Sequence, residues 1–278
     1  MGLRNRKQLV KIPELENLFT EIDCPWQDLI SPSNDGGFTV ILVDLDILAG
    51  EYRNTRLDDL VNFCLTPAEQ KHFAGYQLAK RKNEWLGGRI AAKLAAMKLL
   101  EPAGTPRKLS GWEIHADPAG RPFISTGDSA RLPGPDISIS HSHNVAAAMA
   151  ASHGFCGIDI QQLTPRINRV EEKFVTAADQ QHMRTLADLD DPFQKTLYQG
   201  YLWAAKEAIR KASNRTPLPG FLEMQLAAAA GIASPGPCEN PLLMNFLMQR
   251  QPDNETGKDI RVVAMKYAEY ALAMTLLL

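Results

Sequence analysis

Glu207 and Lys211 stand four residues apart in the run Leu202-Trp203-Ala204-Ala205-Lys206-Glu207-Ala208-Ile209-Arg210-Lys211. In a helix they share one face, in line with Trp203 a turn earlier. Ala204, Ala205, Ala208, Ile209 and Ala212 would bury the opposite side. A carboxylate beside an ammonium can take up a proton and hold an anion; equally, such a pair can be solvated and contribute a few tenths of a kcal/mol. Lys206, in the same run, reads as an ordinary helix-surface lysine. Upstream, Cys156-Gly157-Ile158-Asp159-Ile160 is a short apolar run broken by one carboxylate. Burying that aspartate is costly unless it is paired or binds a metal. Asp159 and Glu207 would make half of a magnesium site, in which one or two carboxylates and substrate phosphates share the ion with water. Lys211 beside them would suit a phosphate oxygen or a leaving group.

Asp136-Ile137-Ser138-Ile139-Ser140-His141-Ser142 alternates apolar and polar residues, as a half-buried strand does, and ends in Ser-His-Ser. Gly120-Arg121-Pro122 precedes it, and Arg81-Lys82-Asn83-Glu84-Trp85-Leu86-Gly87-Gly88-Arg89-Ile90-Ala91-Ala92-Lys93 lies further upstream. The five elements in this order, over roughly residues 38 to 225, resemble the 4′-phosphopantetheinyl transferases of the larger, surfactin-synthetase-activating type.

The resemblance implies an enzyme that transfers the phosphopantetheine arm of coenzyme A to a serine of an apo acyl-carrier or peptidyl-carrier protein, with Mg2+ as cofactor and 3′,5′-ADP as the second product. It makes Asp159 a metal ligand. Glu207 becomes a metal ligand and the general base, and Lys211 the contact to the phosphates. Ser140 and His141 fall near the phosphates of coenzyme A. Arg81 and Arg89, eight apart on one helix and read as nearly in line, fall near the 3′-phosphate, where arginine suits anion recognition. The chain departs from many relatives at Gln161, where a second metal-binding acid is usual. On an alternating strand Gln161 still points toward the site, offering a carbonyl oxygen but no charge. Gly87-Gly88 reads as a close helix contact rather than a phosphate cradle. Two rival readings stay open: a non-catalytic coenzyme A or carrier-binding protein of the same fold, and a metal hydrolase using His141 and His143 at i and i+2 of a strand.

At 278 residues the chain is long enough for two domains or two similar halves. A formal charge of −2 gives no electrostatic argument for nucleic acid. Cys24, Cys64, Cys156 and Cys238 are scattered, without a CxxC pair, which favours a reduced cytoplasmic setting and no disulfide. The basic start Met1-Gly2-Leu3-Arg4-Asn5-Arg6-Lys7 is followed by no apolar stretch of signal-peptide length. The apolar segment Tyr270–Leu278 is too short for a bilayer span and reads as a strand or core segment, so no membrane association is expected.

The fold class expected is α+β: an irregular leader over 1–36 ending in the breaker cluster 31–37, then halves at 37–152 and 153–278. Each half reads as strand, helices, then strands. The resemblance adds a pseudo-twofold axis between the halves, an active site in the cleft between them, and a monomer. Phe38–Val43 reads as a buried strand. One helix is expected from the Thr66-Pro67-Ala68-Glu69 start to about Leu100, and Gly/Pro-rich loops over 102–135 are broken by a strand at Trp112–His115. Strands follow at 136–140, 145–151 and 155–160. Helices start at Thr164-Pro165, Thr176 and Asp191-Pro192, and strands return from 240 onward.

Overall fold

The computed structural model describes residues 17–30, 37–51, 57–100, 108–126, 134–213, 217–233, 237–248 and 259–278. Residues 1–16 of the expected leader and 31–36 of the breaker cluster lie outside them. The first sheet contains β1 (Phe19–Ile22), β2 (Phe38–Asp44), β3 (Trp112–Ala116), β4 (Pro122–Thr126), β5 (Asp136–Ser142) and β6 (Val145–Ala151), in the order β1-β2-β6-β5-β4-β3. The second contains β7 (Phe155–Gln162), β8 (Met224–Gly231), β9 (Cys238–Met248), β10 (Asp259–Tyr267) and β11 (Tyr270–Leu277), in the order β7-β11-β10-β9-β8. All pairings are antiparallel.

The helices of the first half are α1 (Gln27–Ile30), α2 (Leu45–Glu51), α3 (Leu57–Cys64), α4 (Pro67–Ala74) and α5 (Ala79–Leu100); the second half adds α6 (Ala177–Arg184) and α7 (Pro192–Ala212). The protein is therefore α+β, with α5 packed on the first sheet and α7 on the second. Among the described residues no helix is long and apolar enough to cross a membrane.

Each long helix covers one apolar core, and a third core lies between the sheets. On β2, Ile41 and Val43 face α5, whereas Val40 and Leu42 join Ile158, Ile160, Val263 and Met274 of the second sheet. Burial on both faces is why 38–43 is apolar without alternation. Ile22, Trp26 and Ile30 also enter the core between the sheets. Residues 17–30 thus belong to the fold, not to an irregular leader.

Several expected elements differ. The single helix over 66–100 is two, because α4 ends at Gly75, a poor helix former whose N–H closes back on His72 and Phe73. The Thr164-Pro165 start leads only into a 3-10 segment, Ile167–Lys173, with a non-helical Val170 inside it. β4 lies within the stretch expected to be loop, and the Ala-rich β8 forms a strand because β9 supplies its hydrogen bonds.

The two halves repeat one construction. Thr66 caps α4 in a reciprocal capping box with Glu69, and Thr176 caps α6 in the same way with Asp179. The Lys93 ammonium on α5 bonds Glu69 and the Cys64 carbonyl; the Lys206 ammonium on α7 bonds Asp179 and the Phe174 carbonyl, each at 2.7 Å. The second oxygen of each acid takes a strand N–H, Ile114 for Glu69 and Leu226 for Asp179. Both lysines are fully buried, and each charge is tolerated because the ammonium has a carboxylate and a backbone carbonyl to bond. Lys206 is accordingly not a surface lysine but the central cation of the second half.

Candidate active site between the two sheets

β7 is an edge strand, and its outward N–H groups need partners. β5 provides them from side chains. Asp136 accepts from Cys156 N at 2.7 Å, Ser138 from Ile158 N at 3.2 Å, Ser140 from Ile160 N at 3.3 Å and Ser142 from Gln162 N at 3.0 Å. The polar half of the 136–142 alternation thus stitches the sheets together, while Ile137 and Ile139 turn to the core under α5.

The stitching leads into the charged groups. The Ser140 hydroxyl donates to Asp159 Oδ1 at 2.7 Å, and the Lys211 ammonium donates to the same oxygen at 2.7 Å and to the Ile158 carbonyl at 3.1 Å. Asp159 is only 6% exposed, and these partners make its burial tolerable. α7 lies close enough because of Gly157: a Cβ there would stand 1.9 Å from the Ala208 carbonyl oxygen. Glu207, on the same helix, accepts from Arg210 at 3.3 Å. Burial, and then the Asp159 charge, raise its pKa against the pull of Arg210 and Lys211. A carboxylate shifted upward is a better proton acceptor near neutral pH.

From the first half, His141 Nδ1 lies 3.8 Å from Glu84 Oε1, and Glu84 Oε2 lies 3.8 Å from Arg81 Nη1. Burial lowers the His141 pKa; Glu84 opposes this, and the Lys211 and Arg81 charges lower it further. Ser140, bonded to Asp159, and His141, which feels Glu84 and Arg81 on one side and Lys211 and Asp159 on the other, therefore join the two halves of the site. Gln161 is two residues beyond Asp159 on β7, and its amide nitrogen donates to the Gln162 carbonyl at 3.2 Å.

Arg89 does not join them. Its guanidinium lies 3.7 Å from Glu69 and 4.6 Å from the centre of the Trp85 ring. Burial lowers its pKa and Glu69 opposes this. Eight helical positions leave two side chains about 80° apart rather than in line. Gly87 and Gly88 do serve close packing, since a Cβ would stand 2.3 Å from Leu45 and 3.0 Å from Ile139, respectively. The His-x-His reading fails on geometry: β5 stops at Ser142, and His143 occupies the turn with φ +48°. Among the described residues no group of three or more His, Cys, Asp or Glu side chains could hold a metal ion.

Sequence reasoning gave no role to Glu84 or Arg121, although both lie within motifs it singled out, and it did not see that Asp136 and the serines bond across to β7. The signal for the last was present in the strict spacing of Asp136, Ser138, Ser140 and Ser142.

No protein-family model matches the chain, and no curated protein matches it. Solved structures of holo-(acyl-carrier-protein) synthases are similar to part of it. The one from Bacillus anthracis, in complex with CoA (3′,5′-ADP), is 26% identical, with a TM-score of 0.34 over 42% of this chain and 93% of that chain. The one from Neisseria meningitidis is 20% identical, with a TM-score of 0.35 over 42% of this chain and 97% of that chain. The one from Plasmodium yoelii is 19% identical, with a TM-score of 0.34 over 42% of this chain and 91% of that chain.

Proposed function

We propose that the chain is a 4′-phosphopantetheinyl transferase of the larger, surfactin-synthetase-activating type, acting as a monomer whose halves are residues 37–152 and 153–278. The observation that carries this reading is the Ser140–Asp159–Lys211 hydrogen-bonded set, with Glu207 beside it, at the seam of the two sheets. The carrier serine hydroxyl attacks the phosphorus that bears the pantetheine arm, and the bond from that phosphorus to the bridging oxygen breaks, releasing 3′,5′-ADP. Glu207 takes the serine proton. Lys211 faces the charge that develops on the leaving oxygen, and His141 and Arg81 donate to the remaining phosphates.

A divalent cation suits this pair of acids, because the Asp159 charge raises the pKa of Glu207 and a cation shared by the two would relieve that repulsion. Asp159 and Glu207 would hold Mg2+, with Gln161 as the further, uncharged ligand that the resemblance implies, and the ion would supply neutralisation of the pyrophosphate charge. Arg89 is not assigned to the substrate, since it is engaged with Glu69 and Trp85.

The test is direct. Purified protein with coenzyme A, Mg2+ and an apo carrier should add one phosphopantetheine to the carrier, seen as intact mass, with 3′,5′-ADP released in equal amount. Chelation should stop the transfer, and a carrier whose attachment serine is alanine should stay unmodified. A panel of fatty-acid, polyketide and peptide carriers that all stay apo while the protein binds coenzyme A would leave a binding protein instead.

A further inference from the structure

Arg121 immediately precedes β4 in the first half, yet its guanidinium reaches three elements. It forms a two-point pair with the Asp136 carboxylate on β5, with Nε to Oδ1 at 3.1 Å. It donates to the Cys156 carbonyl on β7 at 3.1 Å and to the carbonyl of Lys211 in the last turn of α7. Its face lies 5.2 Å from the centre of the Phe155 ring. Asp136 in turn accepts from Cys156 N, so one ion pair ties the beginning of β7 to β5 on both its N–H and its carbonyl.

The Lys211 contact bears most directly on the site. The last carbonyls of a helix lack intrahelical partners and carry the negative end of the helix dipole, so a guanidinium there both satisfies and stabilises them. The residue whose carbonyl Arg121 holds is the one whose ammonium rests on Asp159. A planar fork with five donors can meet Asp136 and two carbonyls together, which a lysine cannot.

We propose that Arg121 is a positioning residue: from the first half it fixes the last turn of α7 and so sets the Lys211 ammonium against Asp159 across the seam. This rests on the transferase reading for its catalytic consequence but not for its geometry.

The experiment compares Arg121→Gln and Arg121→Lys with wild type in the full chain. Lys211 is followed by its side-chain 15N signal, assigned by its loss in Lys211→Arg. Arg121→Gln should shift or broaden that signal and lower kcat by about tenfold or more, as small misplacements of a reacting group do, with the KM for coenzyme A unchanged. Arg121→Lys, which keeps a charge opposite Asp136, should fall between; if Arg121→Gln does not fold, the lysine variant alone must show the Lys211 shift and the kcat loss. An unmoved Lys211 signal in a folded variant overturns the proposal, as does a raised KM for coenzyme A with unchanged kcat, which would make Arg121 a substrate contact. If wild type transfers nothing, the functional reading fails, and the Lys211 signal still decides the positioning claim.

Discussion

The two halves share a frame and differ in what they place on it. A Cβ on Gly87 of α5 would stand 2.3 Å from Leu45 and 3.4 Å from Ala146; on Gly200 of α7 it would stand 2.3 Å from Leu163 and 3.4 Å from Ala271. Ala146 lies opposite Val43, and Ala271 opposite Gln161, so two residues back along each strand Ile41 corresponds to Asp159. The offset that aligns Gly87 with Gly200 also aligns Lys93 with Lys206. By that offset Leu94 corresponds to Glu207 and Lys98 to Lys211.

The first half therefore buries Ile41 and Leu94 where the second carries two acids. Lys98 pairs with Glu21 of β1 and lies over Phe19, whereas Lys211 pairs with Asp159. The cause is what covers each strand's edge. β2 is covered by the backbone of β1, which leaves no polar group to spare. β7 is covered by the side chains of β5, and that polar seam is where Asp159, Glu207 and Lys211 are placed.

The first way to break the comparison is through the buried lysines. Lys93→Met and Lys206→Met should each lower unfolding free energy by about 3–5 kcal/mol, because each leaves a buried carboxylate unpaired. Denaturant titration measures both, and a loss in one half with none in the other would show that the frame is not shared.

Arg89 and Arg81 sharpen the division within α5. Arg89→Ala should reduce stability by about 1–2 kcal/mol through the lost ring contact while leaving the KM for coenzyme A unchanged. Arg81→Ala should do the reverse, and a reversal of these outcomes in steady-state kinetics and thermal unfolding would return Arg89 to the site. The caps are the smallest test: Thr66→Ala and Thr176→Ala should each cost about 1 kcal/mol. A clear difference between them would mean that one capping box is supported by neighbours that the other lacks.

Local signals were readable in the sequence wherever they set a local structure. The caps at Thr66, Thr176 and Asp191 each precede a helix, and the alternation over 136–142 marks β5. What was hidden depends on contacts between distant segments. Lys206 reads as a surface residue because nothing local shows that Asp179, Phe174 and Phe221 surround it. β8 is unreadable because its alanines favour helix until β9 pairs with it. In the site, the acids and Lys211 were legible from type and spacing. The division of labour between Arg81 and Arg89 was not, since it turns on which side of α5 meets α4 and which meets the hairpin of β5 and β6.

The central claim is that the shared frame folds the chain and the seam acids do the chemistry. Glu207→Gln tests it most directly, because Glu207 pairs with Arg210 on its own helix and takes no part in the capping boxes or buried lysine pairs of the frame. Transfer of phosphopantetheine to an apo carrier, read by intact mass, should fall by about 100-fold or more, as loss of a general base does. The unfolding transition should stay at its wild-type position. A folded Glu207→Gln protein that transfers at nearly the wild-type rate would contradict the account.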